Sequence, residues 1–379
     1  MRAPQRLAVQ VLVACAAVAA ASSDWPSFRG GPGLTGVAAS PVDGDLELLW
    51  ALDTAAYGDS AARGGSAGIE STAAISGGTV YVGTLGGRLL AAALADGRIE
   101  WAYEAAGEVK SSPAVHGNAV LFGDESGTFH AVDRTSGAAL WTFAAEGAVT
   151  SSPNLSEGRV LFGSYDHRLY CLGLDDGELL WKFETGGYVH ASPAVAGTLA
   201  VAGGCDGQLR LIGLRSGVET ASLHAGQYIA ASAAVLEGGT AVAGTFDNEV
   251  VAVDLEDARF AWRYAPERQF PFYSSAAVSG GTVVIGGRDK QVHALDAADG
   301  TVRWTYAAGA RVDSSPVIAG ERVFVATTAG RVAALDLAGG GESWRFETGE
   351  SFTASPAVAA GRLVIGSEDG MLYCFGNPG

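Results

Sequence analysis

Eight positions spaced about forty residues apart carry the side chains best suited to chemistry: Glu70, Lys110, Thr150, His190, Ala230, Tyr273, Asp313 and Thr353. Two residues before seven of them stand Glu108, Ala148, Tyr188, Tyr228, Pro271, Arg311 and Ser351. Drawn together, Glu70, Lys110, His190 and Asp313 would hold a small polar ligand, with or without redox chemistry. The aromatic members, with Phe270 and Phe272 from the insertion Arg268–Tyr273, offer a different use, because aromatics and arginine are enriched at protein interfaces. A plainer account also stands: positions that meet solvent tolerate variation.

What positions these residues is a repeat. Each of the eight directly precedes a small-residue pair: Ser71-Thr72, Ser111-Ser112, Ser151-Ser152, Ala191-Ser192, Ala231-Ser232, Ser274-Ser275, Ser314-Ser315 and Ala354-Ser355. Within one repeat, Val109 to Gly147, the apolar runs Pro113–Val115, Ala119–Phe122, Thr128–Val132 and Ala139–Phe143 are separated by polar, glycine-rich turns. These read as four antiparallel strands joined by hairpins, with the small pair opening the first. An aromatic closes the fourth: Trp50, Trp101, Trp141, Trp181, Trp262, Trp304 and Trp344, with Ala221 in the slot where it is missing. Both columns count eight, so the expected fold is all-β, an eight-bladed β-propeller of four-stranded antiparallel blades.

The chain ends after a third strand, Met371–Gly376, while Leu46–Trp50 has a fourth-strand pattern with no strands before it. The N-terminal strand is therefore expected to complete the last blade, which removes exposed sheet edges. Period-two alternation places both varying columns on one side of each innermost strand, where those strands ring the mouth of a central channel.

Residues 1–21 read as a signal peptide, 22–45 as a lead-in and 46–379 as the propeller. Arg2 and Arg6 precede an apolar run, Leu7 to Ala20, too short for a comfortable membrane span. Cleavage near Ala21 is the first expectation; the alternative is a lipoprotein signal in which Leu12-Val13-Ala14-Cys15 leaves Cys15 acylated. Either way the protein is exported, to the periplasm or outside the cell, with the outer membrane reached only through such an anchor. Net charge is −17, and removing Arg2 and Arg6 leaves 22 basic against 41 acidic groups, or −19. Such a surface repels nucleic acid and anionic lipid.

Within the repeats, Ala131/Asp133/Gly137/Trp141, Ala294/Asp296/Gly300/Trp304 and Ala334/Asp336/Gly340/Trp344 share one spacing. The aspartate can bond the following turn, the glycine supplies a positive φ, and the tryptophan packs between blades. Blade four, with Ala221 for Trp and Gly213 for Asp, is expected to be the weakest joint. Cys171 and Cys374 fill the small-residue slot and should not pair, and Cys205 reads as a lone exposed thiol. His130 and His293 share a strand slot with Tyr170 and Tyr373 that reads as solvent-facing. The turn carboxylates Asp166, Asp206, Asp247, Asp289 and Asp369 read as turn-formers rather than calcium ligands, and no zinc spacing is present. Gly64-Gly65-Ser66-Ala67-Gly68 matches an esterase string without the strand–turn–helix that such chemistry needs.

This spacing, the Ser-Ser-Pro strand start, the Gly366-Ser367-Glu368-Asp369-Gly370 hairpin and the opening Asp24-Trp25-Pro26-Ser27-Phe28-Arg29-Gly30 resemble the PQQ-like β-propeller repeat family. The likeness runs from about Asp24 to the end and is nearest to the compact exported, BamB-like members, scaffolds in outer-membrane β-barrel assembly. It implies an envelope protein as partner, and no enzymatic activity or cofactor. The quinoprotein dehydrogenase branch would imply pyrroloquinoline quinone (PQQ) and calcium, but its insertions, vicinal cysteine pair and Glu/Asn/Asp cluster have no counterpart here. A small-ligand or quinone site with dehydrogenase activity is the alternative function.

Overall fold

The computed structural model describes residues 23–57 and 68–378. The signal segment and most of the esterase-like string, Gly64 to Ala67, lie outside them. Among the described residues the strands form eight four-stranded antiparallel sheets arranged as a β-propeller. In blade two the strands, a to d from the channel outward, are Ala114–His116, Ala119–Gly123, Thr128–Asp133 and Ala139–Ala144. Strand a starts at Ala114 rather than Pro113, because proline has no N–H for the ladder. The small-residue pair accordingly lies in the extended approach to strand a rather than inside it.

Glu47–Asp53 pairs antiparallel with Met371–Gly376, so the N-terminal strand is strand d of blade eight and the ring closes. In blades one to seven a bulge between strands c and d follows the small slot of strand c. Here Trp101, Trp141 and Trp181 stand opposite Ala91, Ala131 and Cys171. A small partner leaves room for the indole to lie across to the next blade, where its Nε1 donates to a backbone carbonyl: Trp181 to Leu214 and Trp304 to Leu337, for example. A Cβ on Gly137 or Gly340 of the receiving turn would stand 2.7 or 2.5 Å from that indole, and both glycines have positive φ. Cys171 and Cys374 are therefore buried fillers of the small slot, and both are free thiols. Cys205, expected to be exposed, is half-buried.

Blade four reverses the sizes. Leu211, 2% exposed, faces Ala221. The next blade's turn carries Ala258 at φ 49° where the others carry glycine, and its Cβ occupies space that an indole would take. The missing tryptophan is thus compensated by two neighbouring substitutions.

His130 and His293 are 4% and 1% exposed, which corrects the expectation that they face solvent. Their slot faces the adjacent blade. His130 bridges Asp124 in its own blade (3.1 Å) and Tyr103 of the preceding one (3.1 Å); His293 does the same between Asp289 and Tyr264, each at 3.0 Å. The turn aspartates also accept backbone N–H groups across blades, Gly186 to Asp206 and Gln227 to Asp247 among them.

The lead-in is a strap. Residues 23–38 run once around the end of the channel away from the varying columns and bond to the strand-a region of every blade. Trp25 pairs with Ile75, and the carbonyls of Pro26, Gly33, Thr35 and Gly36 accept from Val115, Val235, Val278 and Ile318. The Pro32 carbonyl serves both Asn154 and Val195, and Ala360 of blade eight donates to Ser23. Trp25 and Arg29 are each 1% exposed. The Arg29 guanidinium donates to the carbonyls of Pro316 and Ala276. Gly36 must be glycine, because a Cβ there would lie 1.9 Å from Arg29 Nη2. Burial alone pushes the pKa of Arg29 down to about 9.

A polar cup at the channel mouth

In each loop from strand d to the next strand a, three residues take different environments. The outer one lies at the mouth, where Tyr188 and Tyr228 project, 48% and 47% exposed. The middle one is buried, the series being Ile69, Val109, Val149, Val189, Ile229, Phe272, Val312 and Phe352. The inner one faces the channel, and all eight, from Glu70 to Thr353, line a single cavity of about 390 Å3. Phe272 therefore does not belong to the rim. It falls in the buried series, where Gly244 leaves it space: a Cβ there would be 2.6 Å from its own. Phe270, 49% exposed, does project at the mouth, and Arg311 is exposed there as well.

Below the inner residues lies a closed circuit. The backbone N–H of the second residue in each small pair donates to the hydroxyl of the same residue in the next blade. The links run from Thr72 through Ser112, Ser152, Ser192, Ser232, Ser275 and Ser315 to Ser355, which returns to Thr72 Oγ1 at 3.2 Å. These eight residues line the lower cavity, and Phe28 of the strap contributes to its floor.

The walls above are asymmetric. From blades three to six, His190 is held between the Tyr165 hydroxyl on Nδ1 (2.9 Å) and the Tyr273 hydroxyl on Nε2 (3.0 Å). Burial, with the Lys110 charge, lowers its pKa and keeps it neutral, so one phenol donates to the ring and the other accepts. Tyr188 stacks on Tyr165 at 4.8 Å. Arg288 pairs with Asp313 through two bonds, 2.8 and 3.0 Å, and lies 4.7 Å over the Tyr273 ring. The other side is carboxylate-rich. Lys110 bridges Glu125 (2.7 Å) and Glu108 (3.2 Å). Burial opposes its charge, but these carboxylates and Glu70 hold its pKa well above the ordinary value. Glu70, exposed at the mouth, accepts no hydrogen bond among the described residues, and partial desolvation, reinforced by Glu368, Glu108 and Glu125 against Lys110, raises its pKa.

Glu125, Tyr165 and Arg288 were not among the sequence candidates. They share one position, the second residue of the turn between strands b and c, and it recurs as Leu85, Glu125, Tyr165, Cys205, Phe246, Arg288, Thr328 and Glu368. Each donates its N–H to the carbonyl of the outer loop residue, Cys205 to Tyr188 and Phe246 to Tyr228 for example, at 2.8–3.2 Å. This is a third varying column with the forty-residue spacing, and that spacing was the signal available. No group of three or more His, Cys, Asp or Glu able to hold a metal ion occurs among the described residues.

The sequence signature of a family described as outer membrane protein assembly factor BamB matches residues 38–142, 125–270 and 262–374. No curated protein sequence matches the chain. Among solved structures, BamB from Moraxella catarrhalis is similar with a TM-score of 0.72 and 18% identity, over 88% of this chain and 98% of that one. Quinohemoprotein alcohol dehydrogenase from Comamonas testosteroni gives 0.78 and 13%, over 93% and 80%. A europium-containing methanol dehydrogenase gives 0.78 and 12%, over 94% and 98%. At these identities the structural likenesses establish the shared propeller fold.

Proposed function

The chain belongs to the family described as outer membrane protein assembly factor BamB, and from that premise we propose that it is an exported, non-enzymatic scaffold that binds a protein partner in the cell envelope. One observation carries this reading. Three successive loops, between blades three and four, four and five, and five and six, each present an aromatic close to half exposed at the mouth: Tyr188, Tyr228 and Phe270. Aromatics standing side by side on a frame fixed by the hydroxyl circuit offer large contact area at low entropic cost. An extended segment or loop of an envelope protein suits this arc. Export is argued from the signal pattern of residues 1–21, with Cys15 as the anchor if that signal is of the lipoprotein kind.

The dehydrogenase likenesses raise a quinone site in the cup as the second reading. The residues do not fit that group. Pyrroloquinoline quinone is a planar tricarboxylate, and both cations lining the cup are already neutralised, Lys110 by Glu125 and Glu108 and Arg288 by Asp313. Glu70, Glu125 and Asp313 against Lys110 and Arg288 leave the lining at a formal charge of −1. Calorimetric titration of the mature protein with the quinone, with and without calcium, tests this. The scaffold reading expects no saturable heat. Micromolar binding lost on Asp313→Asn would replace that reading with the quinoprotein one.

A further inference from the structure

The cup makes demands that a protein partner seated on the rim does not meet. Its lower wall is a ring of donors. Each of the eight hydroxyls already accepts one backbone N–H, and none finds an acceptor for its own hydrogen among the described residues. The residues that carry them are only 3–6% exposed, so those hydrogens point into the cavity or go unused. Above the ring the Glu70 carboxylate, exposed at the mouth and without a donor among the described residues, is free to accept as well. A buried donor left unmade costs about 1–3 kcal/mol, so a group that accepts from the ring is favoured, and one that also donates upward to Glu70 suits both walls.

Charge narrows the choice. An anion meets Glu70, Glu125 and Asp313, and both lining cations are engaged by these or by Glu108. A cation meets the hydrogens of the hydroxyl ring, with the buried Arg29 guanidinium behind them, bonded to the carbonyls that follow Ser275 and Ser315 and facing no carboxylate. Apolar faces are present too: Phe28 at the floor, Tyr165 and Tyr273 in the wall. At about 390 Å3 the cavity falls at the small end of the ligand-pocket range, roughly 300–1,000 Å3.

We propose that the cup binds a neutral polyhydroxylated ligand, a saccharide of one or two rings, at a site separate from the aromatic rim. Hydroxyls of the sugar would donate to Glu70 and accept from Ser152, Ser192 and Ser232, while its C–H face lies against Tyr165.

Calorimetry of the mature protein with glucose, N-acetylglucosamine and trehalose tests this, with Nα-acetylarginine amide and PQQ as charged comparisons. At least one sugar is expected to bind saturably. Glu70→Gln should weaken it by about tenfold, ~1.4 kcal/mol, without moving the thermal midpoint of the ligand-free protein. Glu256→Gln, an exposed turn of blade five at the other end of the channel, should leave binding as it was. A crystal soaked in the same sugar should show it above Phe28. The assignment is overturned by an absence of saturable heat with all three sugars at tens of millimolar. Sugar binding indifferent to Glu70→Gln, or a charged probe that binds in place of the sugars, would overturn it as well.

Discussion

The hydroxyl of Ser232 is one of eight equivalent groups that tie neighbouring blades together, accepting from Ser192 N–H at 2.8 Å. Ser232→Ala would orphan that buried N–H, and a loss of about 1–3 kcal/mol is expected in denaturant unfolding. Ser232→Thr should recover most of it, because Thr72 performs the same task in blade one. A second residue-scale expectation concerns acid. Asp124 has no exposed side-chain surface. Burial works against its charge, but bonds from His130, Ser126 and the N–H groups of Thr128 and Gly107 outweigh it and hold the carboxyl at about 2, below its ordinary 3.8. A depressed carboxylate stabilises the fold above its unfolded pKa, and that contribution fades as pH falls from about 5 towards 2. The advantage of the parent over Asp124→Asn, roughly 2 kcal/mol at neutral pH, should shrink over that window; a gap independent of pH would refute the assignment. At this scale the sequence showed which positions vary but not which way every one points. Phe272 leaves the rim for the buried series because it sits inside an aromatic insertion, where alternation has to be counted from Tyr273 rather than read from residue type. The turn column of Glu125, Tyr165 and Arg288 is masked in the sequence by the turn carboxylates that dominate its neighbourhood.

Between blades, the Trp column was legible because an indole, a small cross-strand partner and a turn glycine recur together. Its exception was only half legible. Ala221 marks the missing indole, but the compensation by Leu211 and Ala258 depends on register across strands and between blades, which spacing alone does not reveal. Ala221→Trp alone should therefore destabilise, since the ring meets Leu211 and the Ala258 Cβ. The triple change Leu211→Ala, Ala221→Trp, Ala258→Gly should be more stable than the sum of its parts, with a coupling of about 0.5–3 kcal/mol in a mutant cycle. Additive effects would mean that the three positions do not share one space. The strap was the element least accessible to pattern. With Pro26, Gly30, Gly31, Pro32, Gly33 and Gly36 it has neither strand nor helix period, and its order comes from bonding to every blade in turn. Replacing Gly36 by Ala is expected to displace Arg29 and lower the thermal midpoint, whereas the same change at Gly31, whose Cβ would meet nothing within 4 Å, should be tolerated.

At the scale of the whole molecule, eightfold repetition and closure by the N-terminal strand could be counted directly, since each rests on short-range patterns repeated many times. The proposed binding surfaces lie where the repetition breaks: an aromatic arc on blades three to six, a carboxylate cluster opposite, and a cup between them. The central claim is that the arc is a protein-binding surface. Photo-crosslinking residues placed at positions 188, 228 and 270, with a control at the exposed Glu237 in a turn at the other end of the channel, test it in the native host envelope. One discrete envelope protein should be captured from all three rim positions and not from position 237, and Tyr188→Ala with Phe270→Ala should abolish capture from 228. Equal capture from rim and control, or none from the rim, would contradict the account.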